Sequence, residues 1–454
     1  MLSSAAHVEG TALPRVLIVG GGFAGLRVAR GLSGAPVRVT LIDQHNYHLF
    51  RPMLYQAATG LLSADEIAAP IRSVLRNQRN VDVLMAKVIG VDLEGKRVLV
   101  EDGRVPYDYL VLATGIQYDY FGHEAWPALA PGLDSVDEAD RIRGKIFAAF
   151  EVAERLAASG QADASAIREL LTFVQVGAGT AGVEMAATIA ELVRMTLAKD
   201  FRHIEPSSAH ILLLEAGPRI LSTYPEALSQ RALAHLRRLG VDVRTSARVE
   251  QVDEQGVVVN GERIASQTVL WSAGVVASPA GQWLGAAMDR SGRVKVNSDL
   301  SVPNHPNLFV VGDTASLTAL RRNLIGVKSK TASPLPGVAQ VAIQEGNYVA
   351  ALIRRRVRGK PAPLPFWYWD KGELAIVGRT YAVADLKLLR FTGRFAWWLW
   401  ASVHIFFLIG FANRLLVMLH WAMAFLSKRH GVRIFPGAQE RAARKVARLA
   451  IDRR

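Results

Sequence analysis

Val16-Leu17-Ile18-Val19 is an apolar run with the character of a buried strand, and it passes without a gap into Gly20, Gly22 and Gly25 at Gly-x-Gly-x-x-Gly spacing. A helix-forming segment, Leu26 to Leu32, follows, and then a second apolar run, Val37 to Ile42, ending in Asp43. Strand, glycine turn, helix, strand and acid in that order constrain the fold more than any other feature of the chain. In a βαβ unit the three glycines serve a tight turn, a close backbone approach to a pyrophosphate, and helix–strand contact. The helix start offers free N–H groups and the positive end of its dipole to phosphate. Asp43, roughly 20 residues after the first glycine, is placed to accept hydrogen bonds from a ribose diol. Phe23 and Ala24 within the turn and Gln44 beside the acid complete this candidate adenine-dinucleotide site. The glycines alone would also suit an ordinary βαβ turn.

The pattern then returns. Leu171 to Val176 is a strand, Gly177, Gly179 and Gly182 repeat the spacing, Val183 to Leu197 reads as a helix, and Ile211 to Leu214 leads to Glu215. The acid comes 38 residues after Gly177, a distance that a longer helix and the polar loop Asp200–Ser208 would take up. Two such units mean two dinucleotides and an α/β fold with two Rossmann-like domains. Glu215 suits a ribose diol and repels a 2′-phosphate, favouring NADH over NADPH; Arg219, close in sequence, weakens that preference. Other buried strands run into small residues that let backbone approach a cofactor: Tyr107 to Leu112 into Ala113-Thr114-Gly115, and Thr268 to Trp271 into Ala273-Gly274. Asn307 to Val311 runs into Gly312-Asp313, where the acid alone would serve equally as a helix cap.

Between the motifs, Gln44 to Gly60 is aromatic and polar without period, a loop against a cofactor or an ordinary packed loop. Asp65 to Arg76 reads as one helix with Pro70 inside or at its start, Val81 to Val100 as a meander, and Asp134 to Ser159 as a helix.

The 454 residues include no cysteine, which excludes a redox-active disulfide, cysteine-ligated metal and a thiol intermediate. No metal site is expected. Of the formal charge of +14, half falls in residues 427–454, with nine Lys/Arg against Glu440 and Asp452. Just before this basic end lie two apolar runs, Phe395–Ala412, rich in tryptophan at its start, and Leu415–Leu426, split by Asn413 and Arg414. The first is near the minimum for a span and the second too short. The pairing of such runs with basic flanks reads as helices lying in a membrane interface. A span over 396–412 and a buried dimer interface remain open; the basic end alone would also suit nucleic acid, but the neighbouring apolar runs favour membrane, and no nucleic-acid partner is expected. No signal peptide is expected, and the folded body is expected to stay in the cytoplasm.

These residues resemble the two-dinucleotide-binding flavoprotein superfamily and, more narrowly, the bacterial type II NADH dehydrogenases. Asn46–Gly60, Ala339–Gly346, Lys371–Arg379 and the aromatic C-terminal runs are similar to that family's segments, over about residues 14–435. The resemblance implies an FAD domain in two parts, 14–135 and 291–384, around an NADH domain, 165–290, with a membrane-associating tail, 385–454. It implies that Gly20, Gly22, Gly25 and Asp43 hold the ADP half of FAD, that Thr114, Gly115, Gly312 and Asp313 hold its middle, and that Gly177, Gly179, Gly182 and Glu215 hold NADH. Ala273, Gly274 and Ala339 are counted with these. Glu184 would lie beside nicotinamide and flavin, Gln340 and Gln344 would face the flavin and the quinone head, and Lys371 could stabilise charge there. Polar helix surface is the plain alternative for both glutamines. Arg51 stands where the family pattern has glutamine, which puts the quinone-pocket contacts in question. The implied reaction passes hydride from NADH to FAD and then two electrons to a membrane quinone, without proton pumping, by a homodimer on the cytoplasmic face of the inner membrane. Sulfide:quinone oxidoreductases and disulfide reductases share the fold but need cysteines. A flavin-binding redox sensor or death-inducing factor-like protein is the reading from another class, and slow turnover with a long-lived charge-transfer complex would mark it.

Overall fold

The computed structural model of the chain describes residues 13–160, 163–427, 431–432 and 434. Six strands form the larger sheet, in the order Ser301–Val302, His305–Val310, Tyr109–Leu112, Arg15–Val19, Arg38–Asp43 and Val81–Met85. All but the Ser301–Val302 edge run parallel. Val16–Ile18 and Leu110–Leu112 are buried at every position, the pattern of strands covered on both faces. Because strands from both ends of the chain share this sheet, the domain is split around an insertion.

The insertion has its own parallel sheet, in the order Val241–Arg244, His210–Leu214, Thr172–Val176 and Thr268–Trp271. Each domain also carries a three-stranded antiparallel meander, 88–106 in the first and 249–265 in the second. Ile116–Tyr118 pairs with Val275–Ala277 to tie the domains together. The helix Ala339–Arg356 closes the first domain by lying against the glycine-turn helix Phe23–Gly31. There is no room for side chains at the crossing. A Cβ on Gly346 would lie 2.5 Å from the Ala24 carbonyl oxygen, and one on Gly31 the same distance from the Ala350 Cβ.

Three segments differ from the sequence reading. The stretch 44–60 is structured: Tyr47–Leu49 pairs with Ala68–Pro70, a 3-10 turn covers Arg51–Met53, and a buried helix spans Leu54–Ala58. Each piece is too short to show a period, and the helix docks against Val136–Ser159. The expected helix 65–76 is two short helices, Ala64–Ile67 and Ile71–Leu75, separated by Ala68–Pro70, because Pro70 holds its predecessor extended and lacks an N–H. The helix Thr180–Glu191 widens into a π-turn at Leu192–Thr196 and a tight turn at Leu197–Lys199, which takes up much of the long approach to Glu215.

Glu373–Ile376, Ala382–Asp385 and Arg390–Gly393 form an antiparallel sheet in which Asp385 pairs with both Glu373 and Arg390. A boundary between residues 384 and 385 would therefore cut a sheet. The apolar run 395–412 is broken at Gly410, φ 93°, between helices Arg394–Phe407 and Phe411–Ser427. Among the described residues no helix is long and apolar enough to cross a membrane. Most of the basic end lies outside the described residues.

Candidate active site

The two glycine turns are alike in detail. Gly20 (φ 103°) and Gly177 (φ 92°) adopt a backbone that L side chains rarely enter. A Cβ would meet the Ala113 carbonyl oxygen at 2.3 Å in the first and the Ala273 nitrogen at 2.7 Å in the second. A Cβ on Gly25 would lie 1.8 Å from the Gly20 oxygen, and one on Gly182 1.8 Å from the Gly177 oxygen. At Gly22 and Gly179 a Cβ would meet nothing within 4 Å, and neither helix start has a side-chain cap. Bare N–H groups facing clear space fit the pyrophosphate of a dinucleotide.

Both acids reach back to their own turn. Asp43 accepts from the Gly21 N–H at 2.6 Å and the His45 N–H at 2.8 Å. Glu215 accepts from the Ala178 N–H and the Gly217 N–H, each at 2.8 Å. In each unit the first donor directly follows the first glycine. Gln44 is exposed beside Asp43. Phe23 meets His48 and Phe50 edge-on, at 5.2 and 5.7 Å between centroids. Arg219 donates to the carbonyls of Ser222 and Tyr224, so its guanidinium is engaged by its own turn.

Three distant segments meet beside the first turn. The Thr114 hydroxyl bonds to that of Ser278, and Thr314 donates to the Gly115 carbonyl at 3.1 Å. Gly312 (φ 71°) donates its N–H to Glu345 at 2.6 Å. Burial, with the Asp313 charge adding, pushes the Glu345 carboxyl up to about 8. Asp313 is also raised by burial, against the opposing charges of Arg51 and Arg293. The Arg51 departure thus places a cation within electrostatic reach of Asp313. The helix starting at Ala339 has no side-chain cap, and Gly337 lies against Asp313. The sequence reading missed Glu345; its signal was an acid on the apolar side of the Ala339–Gly346 run.

Glu184 is buried on the second glycine helix and accepts from the Ile376 N–H at 3.2 Å. Burial pushes it up to about 8. Gln340 and Gln344 are neither free surface nor free ligands. Gln344 donates to the Trp369 carbonyl at 3.0 Å and accepts from its N–H at 2.9 Å. Gln340 donates to the Gly372 carbonyl at 2.9 Å and accepts from the Lys371 N–H at 3.2 Å. Their amides therefore clamp the segment 369–372, each with one N–H and its oxygen. That clamp holds the Lys371 ammonium 5.1 Å from the Trp369 ring centre and 5.6 Å from that of Phe407.

The sequence profile of the pyridine nucleotide-disulphide oxidoreductases matches residues 14–346, and that of the NDH2 C-terminal domain matches 370–430. The chain is 42% identical to the type II NADH:quinone oxidoreductase Ndh of Mycobacterium tuberculosis, over 97% of this chain and 95% of that one. It is 40% identical to NdhA of the same organism, over 92% and 88% of the two chains. The chain belongs to the type II NADH:quinone oxidoreductases. In fold it matches NDH2 from Plasmodium falciparum in complex with NADH, with a TM-score of 0.79 and 20% identity over 91% of this chain and 98% of that one. The protein is thus an FAD-dependent NADH:quinone oxidoreductase. With no cysteine, it has the family fold without the disulphide chemistry named in the broader profile.

Proposed function

We propose that the two glycine turns divide the cofactors as the chain order suggests, FAD on Gly20, Gly22, Gly25 and Asp43, NADH on Gly177, Gly179, Gly182 and Glu215. Bound FAD supplies the two-electron chemistry between NADH and quinone. The protein's own part is placement. Glu215, with Arg219 turned away, selects the ribose diol of NADH. Glu345 and the bare start of helix Ala339–Arg356 hold the middle of FAD together with Thr114, Gly312 and Asp313. Glu184, protonated near neutral pH, offers a proton at its carboxyl, and Lys371 stabilises negative charge on a quinone oxygen as electrons arrive. The observation that carries this reading is the double amide clamp of Gln340 and Gln344. It fixes Lys371 to the same helix that carries Glu345.

Purified, FAD-loaded protein should oxidise NADH many-fold faster with a soluble short-chain quinone than without it. Lys371→Met and Gln344→Trp should suppress that acceleration while NADH still bleaches the flavin absorbance. If quinone reoxidises the flavin equally fast in both variants, the quinone-side assignment falls.

The reading extends to a bilayer surface, the cytoplasmic face of the inner membrane. The terminal helices expose Phe395, Trp398, Phe406, Phe411, Leu419 and Leu426 while burying Ala396, Trp400 and Val417. Two-faced aromatic helices suit the interface plane. The same surface would serve a homodimer. Flotation with anionic vesicles should carry the protein, and Phe406→Asp with Leu419→Asp should release it; light scattering of the variant reads the dimer separately. Finally, the domain division lies near residue 370 rather than 384.

A further inference from the structure

A small cavity lies between the second glycine helix, the buried helix Leu54–Ala58 and the two terminal helices, on the side of strand Glu373–Ile376 where Glu184 is bonded. Its volume is about 30 Å³. Three buried donors of residues on its lining have no hydrogen-bond partner among the described residues: Trp397 Nε1, Trp400 Nε1 and Arg379 Nε. Trp400 is 1% exposed, so water outside the fold does not reach its indole N–H. Three orphaned donors around one void call for an acceptor inside it. At about 10–15 Å³ per molecule the space takes roughly two waters and nothing larger.

One acid lines the cavity, and a second lies on the same helix beyond the lining. Glu191, half-buried, lines it and accepts the Arg379 N–H with both carboxylate oxygens, at 2.8 and 2.9 Å. Glu184 stands two helix turns earlier, and the cavity is bounded on that side by its neighbours. Ile376 donates its N–H to the Glu184 carboxylate, and Thr188 donates to the Glu184 carbonyl. Tyr55 lines the same space. Trp421 Nε1 donates to Gln56 at 2.8 Å, and Gln56 donates to the Tyr55 hydroxyl at 2.8 Å. That arrangement leaves the phenol proton to point elsewhere, and the two acids acting on it are Glu184 and Glu191. Burial pushes Glu191 up to about 7, opposed by Arg379. The charge acting on Glu191 is that of Arg379, and Tyr55 is acted on by both Glu184 and Glu191. His404, stacked on Trp400, is held neutral by a burial-lowered pKa of about 4.

We propose that this cavity is hydrated and that Glu191, its water and Tyr55 form a proton relay that reloads Glu184 from the outside of the molecule. The relay rests on the role assigned to Glu184 above. The overall reaction, NADH + H⁺ + quinone → NAD⁺ + quinol, takes up one proton per turnover. In the relay that proton enters at Glu191, crosses the water and the Tyr55 hydroxyl, and replaces the one that Glu184 gives up. Each group ends as it began. Glu191 acts through Glu184 and is a positioning residue, not one that touches substrate.

The test compares quinone with ferricyanide, which takes electrons and no protons. Glu191→Gln keeps an acceptor for the Arg379 N–H and removes the titrating proton. The ratio of quinone to ferricyanide turnover should fall roughly tenfold or more above about pH 7, with a larger solvent deuterium effect. Ala424→Leu, which fills the cavity with Glu191 intact, should give the same fall. In infrared difference spectra of NADH reduction, a protonated-carboxyl band should vanish in Glu191→Gln. A ratio unchanged in both variants, or a parallel loss with both acceptors, overturns the relay. Full quinone turnover in Glu184→Gln overturns the role of Glu184 and the relay together. A strong loss there beside an inert Glu191 overturns the relay alone.

Discussion

The two dinucleotide units of this protein are near copies at the turn and differ in what covers them. Each has a first glycine pressed on a neighbouring backbone, a second facing clear space, a third on the carbonyl of the first, and an acid bonded to the N–H that follows the first glycine. The first unit is then closed by chain from far away: Gly312, Gly337, Glu345 and a helix whose Gly346 leaves no room over Ala24. In the second unit the glycine helix is met instead by Leu54–Ala58 and Glu373–Ile376, and Gly274 is exposed where Gly115 is half-buried, while Gly22 and Gly179 are exposed alike. A cofactor gripped by both ends of a domain leaves only when that domain opens, whereas a substrate must leave every cycle. On the proposed division of cofactors, the same motif would serve a resident group and an exchanging one, with tertiary cover setting which.

The largest expected effect comes from the third glycines. Gly25→Ala should yield protein without bound flavin, and Gly182→Ala should keep flavin but lose NADH response; absorbance at the flavin band and NADH titration read the two. The Cβ in each case falls on a carbonyl oxygen and costs about 1–3 kcal/mol or more. If both variants lose flavin, the division of cofactors between the units is wrong. The second glycines sharpen the contrast. Gly22→Ala and Gly179→Ala meet no protein atom, so apoprotein stability should stay within about 0.5 kcal/mol, while affinity for FAD and NADH respectively falls steeply. Calorimetry of the apoprotein beside ligand titration checks it.

Smaller again, Glu215→Gln should raise the KM for NADH about tenfold and narrow the preference over NADPH, as expected for a charge-assisted hydrogen bond worth roughly 1.5–3 kcal/mol. Steady-state kinetics with both nucleotides measures this. The smallest effect is a pH slope. Glu184 and Glu345 hold their protons to about pH 8 in the fold, whereas unfolded carboxyls lose them near their ordinary values. The native state therefore binds more protons between those limits, and apoprotein stability should fall as pH rises, by at most about 1.4 kcal/mol per pH unit per group. Glu345→Gln should flatten its share of the slope in denaturant titrations. An unchanged slope would mean Glu345 ionises in the fold.

Much of this was legible in the chain. Glycine spacing, apolar runs and terminal acids depend on local backbone geometry, so both units could be read before any contact was known, while the split of the first domain came only with the family resemblance. The segment 44–60 was not, because its short pieces are shaped by the helix Val136–Ser159 they dock on. Gln340 and Gln344 also clamp the segment 369–372, which was not legible because the clamp joins residues 32 and 25 apart in the chain. Glu345, Glu191 and Tyr55 gave no sequence signal beyond polarity in apolar runs, since what marks them is burial.

By itself, the sequence determined that two dinucleotides bind, that each unit ends in its own acid, and that no thiol takes part, because these follow from single residues and spacings within one βαβ unit. Only the tertiary structure decided which unit is covered by the helix Ala339–Arg356, how Lys371 is held, and that three donors without a partner among the described residues share one cavity lining with Glu191. Those outcomes depend on what distant segments leave exposed or bury, and burial belongs to the whole fold.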